Sequence, residues 1–375
     1  MQAPSHLYVH IPFCLRKCRY CDFFSVPVKS EPVRRYIDCL RRELQARGAR
    51  GAFQTLYFGG GTPTSLGEKT LGTLLDALQS IIDLPSAEEF TVEANPGTVI
   101  PAKLRLLRAA GANRLSIGVQ SFQPKLLQTL GRIHSPEEAR SAFALARQAG
   151  FENVSIDLIF GIPGQSPAEW SADLEEAIDL HVQHLSAYGL TYEEGTPLHG
   201  ELVSGCIDPV PQELEREMAL HAIRRTRQAG LEHYEISNYA GPGFECRHNL
   251  AYWANEPYLG IGAAAASYLD GVRWRNIAHV QRYIEQIEAT GLAVESSERL
   301  DDEPRARETA ALALRTRRGI DRAVFRQRTG FDIDSLFRTS VSEFVRGGLL
   351  TDDGHRIALT DEGVMLADEV VASVV

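Results

Sequence analysis

The chain has 375 residues, 44% of them hydrophobic, and a formal net charge of −10. Length and apolar content support one large domain and a smaller one. The acidic balance argues against general nucleic-acid binding, and no apolar run approaches the length of a membrane span. Apolar strand candidates are Leu7–Phe13, Thr55–Phe58, Glu89–Ala94, Arg114–Val119, Asn153–Phe160 and His184–Leu190. Amphipathic helical patterns lie between them: Val33–Arg47, Lys69–Ile82, Pro101–Ala110, Pro136–Gln148 and Pro167–Leu180. Gly48, Gly111 and Gly150 close three of these helices. Near-continuous apolar strands separated by such helices imply a parallel sheet buried on both faces, here an α/β fold with six βα units in an open barrel.

The last 80 residues read differently. Pro304–Arg318, Arg322–Arg328 and Ser335–Arg346 read as helices. A strand pair follows around Asp352-Asp353-Gly354, a hairpin signal, and Asp361–Val370 closes the chain as a helix. Helices followed by such a wing resemble a winged-helix module. The expected domains are therefore 1–235 for the barrel, 236–295 for a linking region and 296–375 for the smaller C-terminal domain.

Cys14, Cys18 and Cys21 directly follow the first strand at C-x3-C-x2-C spacing. Thiolates this close hold iron–sulfur clusters. Zinc also takes close cysteine pairs, but a closed zinc site wants four ligands and no local fourth is present. Three thiolates on a four-iron cluster leave one iron open to a small molecule. Cys39, Cys206 and Cys246 follow no ligand spacing and read as ordinary thiols. No signal peptide precedes the motif, so the expected location is cytoplasmic, where thiols stay reduced.

Polar groups gather at the strand ends. Gly59-Gly60-Gly61-Thr62-Pro63 follows the second strand, Glu93 to Pro96 ends the third and Gln120-Ser121 the fourth. Asp157 lies late in the fifth, and Tyr188 and Thr191 end the sixth. In α/β barrels that rim gathers the ligand site. The glycine run offers close backbone approach to a ligand, with free N–H groups. Asp157 stands in an apolar run, where a carboxylate must find a partner or face a cavity.

Tyr8-Val-His-Ile-Pro-Phe-Cys14, Tyr57-Phe-Gly-Gly-Gly-Thr-Pro-Thr64, Gly118-Val-Gln-Ser-Phe122 and Ile156-Asp-Leu-Ile-Phe-Gly161 resemble the anaerobic coproporphyrinogen III oxidase family of radical SAM proteins. The resemblance implies a partial (β/α)6 radical-SAM barrel. It implies a [4Fe-4S] cluster on Cys14, Cys18 and Cys21, with S-adenosylmethionine on its open iron. By motif position, Tyr8, Gly61, Thr62, Glu93, Gln120, Arg132 and Asp157 would line the S-adenosylmethionine site.

That family has two branches. The oxygen-independent oxidases, which decarboxylate a porphyrinogen, carry a fourth cysteine two residues after the third, and an N-terminal segment that closes over substrate. Here Phe23 holds that position and seven residues precede Tyr8. Both features argue against oxidase activity and point to the haem-chaperone (HemW-like) branch, which binds haem and passes it to an acceptor protein. His248-Asn249-Leu-Ala-Tyr252-Trp253 resembles that branch's downstream motif. His248, Tyr252 and Trp253 are thus the haem candidates. The identity of the acceptor is not in the sequence, any membrane association would come only through it, and no oligomeric state is assigned.

Overall fold

The protein is described by a computed structural model covering residues 4–28 and 32–373. Among these residues, twelve strands form one sheet. The first six in the chain are β1 (His6–Ile11), β2 (Thr55–Gly60), β3 (Glu89–Ala94), β4 (Arg114–Gln120), β5 (Asn153–Phe160) and β6 (His184–Gly189). They pair in chain order, all parallel. These are the six strands expected from the apolar runs, with ends moved by one or two residues.

Side chains alternate across a strand. Leu7 and Val9, Leu56 and Phe58, Phe90 and Val92, Leu115 and Ile117, and Ile156 and Leu158 point outward and are fully buried in one hydrophobic core. Helices Val33–Ala46, Glu68–Gln79, Pro101–Ala109, Pro136–Gln148 and Pro167–Asp179 contribute their apolar faces to that core. The intervening residues face inward and are largely polar. Because all six strands run the same way, their C-terminal ends share one rim.

The remaining strands are β7 (Glu232–Glu235), β8 (Asn238–Ala240), β9 (Tyr258–Ile261), β10 (Ala266–Leu269), β11 (Val272–Asn276) and β12 (Val294–Arg299). The order across the sheet is β12-β11-β10-β9-β1-β2-β3-β4-β5-β6-β8-β7, so the barrel is open. β9 adds a seventh parallel strand beside β1, and the outer pairings are antiparallel. This corrects the expected linking region. Residues 236–295 extend both edges of the sheet, and Leu259, Ile261, Ile277, Tyr283 and Ile284 join the main core. β9 is four residues long, has no crossover helix with a clear apolar stripe before it, and is followed by short polar strands, so the alternation of strand and helix breaks there.

The C-terminal module has its own core, including Leu314, Ile320, Phe325, Phe337 and Ile357. Helices Asp302–Leu314, Arg322–Thr329 and Ile333–Arg346 pack with a small sheet of Ile320–Asp321, Arg356–Leu359 and Leu350–Asp352. The first helix starts before Pro304, because proline is tolerated in a first turn that has no N–H partners to lose. Arg305, Arg307, Arg315, Arg317 and Arg322 are held in ion pairs with carboxylates. The module is joined to the barrel by backbone bonds, Ile236 N to Arg315 O at 3.1 Å and Arg317 N to Tyr234 O at 2.9 Å. Among the described residues, no helix is long and apolar enough to cross a membrane.

Glu43 ties the late strands to the first helix. Its fully buried carboxylate accepts from Gly262 N at 2.9 Å, Tyr283 Oη at 2.7 Å and Asn276 Nδ2 at 2.7 Å. Glu43→Ala should lower the unfolding free energy by about 2–4 kcal/mol, since several buried donors lose their acceptor at once. Denaturant titration checks this, and a loss under about 0.5 kcal/mol would contradict the tie.

Candidate functional site

A cavity of about 530 Å³ opens at the C-terminal rim and runs down inside the barrel. Cys14, Cys18, Cys21, Tyr8, Gly61, Thr62, Glu93, Gln120, Arg132, Asp157, His248 and Tyr252 all border it. One cavity therefore collects every proposed site residue except Trp253.

The loop carrying the three thiols is fixed to the glycine turn after β2. Gly61 N donates to Ile11 O at 2.9 Å and Thr62 N donates to Phe13 O at 2.8 Å. A Cβ on Gly61 would lie 2.7 Å from Ile11 O, and one on Gly60 would lie 2.3 Å from the His10 ring. Gly60 also has φ of +99°, which side chains disfavour. The glycines thus admit the cysteine loop itself. This corrects the expectation of free N–H groups: those of Gly61 and Thr62 serve the loop, and that of Gly60 donates to Glu93 Oε2 at 3.1 Å. His10 Nε2 donates to Phe24 O at 2.9 Å, which leaves Nδ1 to accept from Tyr8 Oη at 3.0 Å. That bond anchors the far end of the loop.

The thiols are half-buried and free. Cys14 Sγ lies 3.7 Å from Thr62 Oγ1, and Arg132 Nη1 donates to Cys18 Sγ at 3.4 Å. Arg132 is oriented by a second bond to Gly118 O. Burial raises the Cys14 thiol and pushes Cys21 up to about 11. Both are protonated when alone, and metal would have to displace the protons. Among the described residues, no three His, Cys, Asp or Glu groups converge on a single ion. Cluster thiolates need not converge, because each holds a different iron. Three soft sulfur donors on one cavity wall, with a guanidinium beside one of them, fit a cluster. Cys39 and Cys246 are buried away from these three, and Cys206 is exposed.

Below the thiols the wall is acidic. Tyr57 Oη donates to Glu93 Oε1 at 2.8 Å. Burial pushes Glu93 up to about 7. Asp157 accepts from Ser186 at 2.7 Å, Ser116 at 3.0 Å and Ser155 at 3.2 Å. Burial raises Asp157 as well, and the serines oppose that. Gln120 closes β4 at φ of +70° beside a β-bulge, which turns its amide to the cavity. Tyr57, Ser116, Ser155, Ser186 and Arg114 escaped the sequence reading. A serine at alternate positions of an otherwise apolar strand was the available signal.

The haem candidates separate. Helix Arg247–Trp253 sits at the opposite, N-terminal end of the strands, where Glu89 accepts from Arg247 N at 2.9 Å and His248 N at 3.0 Å. His248 has no exposed surface. One chain of bonds consumes its ring: Tyr252 Oη to His248 Nε2 at 2.9 Å, His248 Nδ1 to Thr55 Oγ1 at 2.7 Å, Thr55 Oγ1 to His6 Nδ1 at 2.8 Å and His6 Nε2 to Glu256 Oε2 at 2.9 Å. Burial lowers the imidazole to about 3. The expected iron-ligand role is thereby corrected: neither ring nitrogen of His248 is free. Trp253 faces the C-terminal module, with the Arg315 guanidinium 5.8 Å from its ring centre.

Comparison with known proteins follows this geometry. Residues 8–177 match the radical SAM superfamily, and residues 300–366 match the HemN C-terminal domain. The chain is 37% identical to the heme chaperone HemW of Bacillus subtilis over 97% of both chains. It is 35% identical to the heme chaperone HemW of Escherichia coli, over 98% of this chain and 97% of the other. Among solved structures, the radical SAM enzyme HemN of Escherichia coli, a coproporphyrinogen III oxidase, superposes with a TM-score of 0.86 at 23% identity, over 99% of this chain and 90% of that one. That likeness concerns the fold. The chain belongs to the radical SAM superfamily and, within its anaerobic coproporphyrinogen III oxidase family, to the haem-chaperone (HemW) branch.

Proposed function

We propose that this protein is a cytoplasmic haem chaperone: it holds a [4Fe-4S] cluster and S-adenosylmethionine in the barrel, binds haem, and hands haem to an acceptor protein. The observation that carries the reading is the match along 97% of the chain to proteins named heme chaperone HemW. Phe23, where the oxidases have a fourth cysteine, supports the same branch.

Cys14, Cys18 and Cys21 would hold the cluster, which supplies an iron open to a ligand from outside the protein. Glu93, oriented by Tyr57 and Gly60, would accept from the ligand's ammonium group. Thr62 Oγ1, the Gln120 amide and Asp157 offer further polar contacts, and the Arg132 charge offsets that of the thiolates. Tyr8 and Gly61 would shape the wall.

Two measurements test this cofactor set. Anaerobic reconstitution should give four irons and four sulfides per chain, and one zinc without sulfide would overturn the cluster. S-adenosylmethionine affinity should rise with pH through about 7, where Glu93 loses its proton. A carboxyl raised by burial binds a cation poorly while protonated, so affinity falls as pH drops below that point, approaching tenfold per unit. The ligand's own amine also titrates, so the ratio of wild type to Glu93→Gln is the quantity to follow by calorimetry. A ratio constant from pH 6 to pH 8 would remove Glu93 from the site.

The chaperone role itself requires saturable haem binding by the cluster-loaded protein, seen as a Soret shift, followed by loss of haem to an apo-haem protein. Absence of saturable binding under anaerobic conditions would overturn it.

A further inference from the structure

A haem chaperone needs a place for a flat apolar ring with two carboxylate arms, and the consumed imidazole of His248 does not provide it. We infer that the ring docks at the cavity mouth, its face on Phe23 and Leu15 and its arms on Arg16 and Lys17. This inference rests on the haem-chaperone reading and gives it a location.

Phe23 is 63% exposed and Leu15 48% exposed, although both belong to the short stretch that carries the three thiols. A large apolar side chain held in solvent beside a cavity, as Phe23 is, marks an interaction site, and Leu15 adds exposed apolar surface on the same short stretch. Phe23, Arg16 and Lys17 all border the cavity. An aromatic ring gains by stacking on a conjugated macrocycle.

The charges complement the ligand. Among the described residues, neither Arg16 nor Lys17 makes a hydrogen bond or ion pair, in a chain with 49 acidic residues against 39 basic ones. Nearby Arg19 is by contrast already paired with Glu201. Two cations without carboxylate partners among the described residues meet two carboxylates, the arginine with a planar fork suited to one of them, while the Lys17 charge also acts on the Cys21 thiol. Asp22 is the carboxylate on this stretch, and the two cations outnumber it. No histidine lies between residues 12 and 28. The ring is thus held by its face and arms, which leaves its iron to a ligand of the acceptor.

The test is anaerobic titration of cluster-loaded protein with haem and with haem dimethyl ester, followed at the Soret band. Phe23→Ala should weaken both by about tenfold, while Phe23→Tyr, which keeps the ring face, should not. The pair Arg16→Gln and Lys17→Gln should weaken haem by about tenfold and leave the ester unchanged. His248→Ala should lower the thermal midpoint and leave haem affinity alone. Iron and sulfide content confirms that each variant keeps its cluster. Wild-type affinity in both the Phe23→Ala and the double-glutamine proteins overturns the site while the chaperone reading stands. Loss of binding confined to His248→Ala also overturns it and returns haem to the barrel floor. If wild type itself shows no saturable binding, the chaperone reading falls and the site falls with it.

Discussion

The contact between the cysteine loop and the glycine turn fixes everything else at the cavity rim. Two backbone bonds, Gly61 N to Ile11 O and Thr62 N to Phe13 O, lay one loop on the other. They are possible only because residues 60 and 61 lack side chains. The same turn gives its Gly60 N–H to Glu93, so the carboxylate on the third strand is positioned relative to the thiols on the first. A side chain at Gly61 would therefore disturb the thiols, the acidic wall and the space between them together.

A second constraint is the polar interior. An open barrel of parallel strands hides its outward residues under helices and must satisfy what points inward. Here this is done in layers. Toward the rim Glu93 has Tyr57 and Gly60, and Asp157 has three serines; at the floor Tyr252, His248, Thr55, His6 and Glu256 form one chain. The layers differ in what they leave free. Glu93 and Asp157 sit among donors yet still face the cavity, so each can accept from a cationic group there once it has lost its proton. The floor chain leaves no lone pair on His248. With a single proton on the His6 ring, its Nε2 donates to Glu256 and the remaining bonds of the chain all run the same way.

Much of this was legible in the sequence. The strands showed as apolar runs of strand length, and strand direction then put the thiols, Glu93, Gln120 and Asp157 around one cavity. Other features were hidden for physical reasons. The Gly61 N–H is taken by the carbonyl of Ile11, far earlier in the chain, and the Gly60 N–H by the carboxylate of Glu93, 33 residues later. The His248 ring bonds Thr55, 193 residues away, and its backbone N–H bonds Glu89, 159 residues away; Tyr252 is its local partner. The φ of Gln120 belongs to a bulge that no local pattern announces. One miss was avoidable: on a helix, residues 248 and 252 share a face while 253 lies about 100° round, so Trp253 could not join them. β9 escaped because a four-residue parallel strand paired to the chain's first strand carries no signal of its own.

Depth in the cavity bears on what each layer can do with a cargo. Thr55 and Gly60 bound the second strand, so the floor lies roughly 17 Å below the rim at about 3.3 Å per residue. A ring held at the floor would have to pass the thiols and the acidic wall to leave, and would displace a closed set of hydrogen bonds to enter. Contacts at the mouth have neither cost. Phe23 and Leu15 already meet solvent, and among the described residues Arg16 and Lys17 are in no ion pair, so no ion pair has to break when a ligand arrives or departs. Delivery requires a bound state that another protein can compete for directly. Exposed apolar contacts and unpaired surface cations meet that requirement, and a buried imidazole with both nitrogens bonded does not.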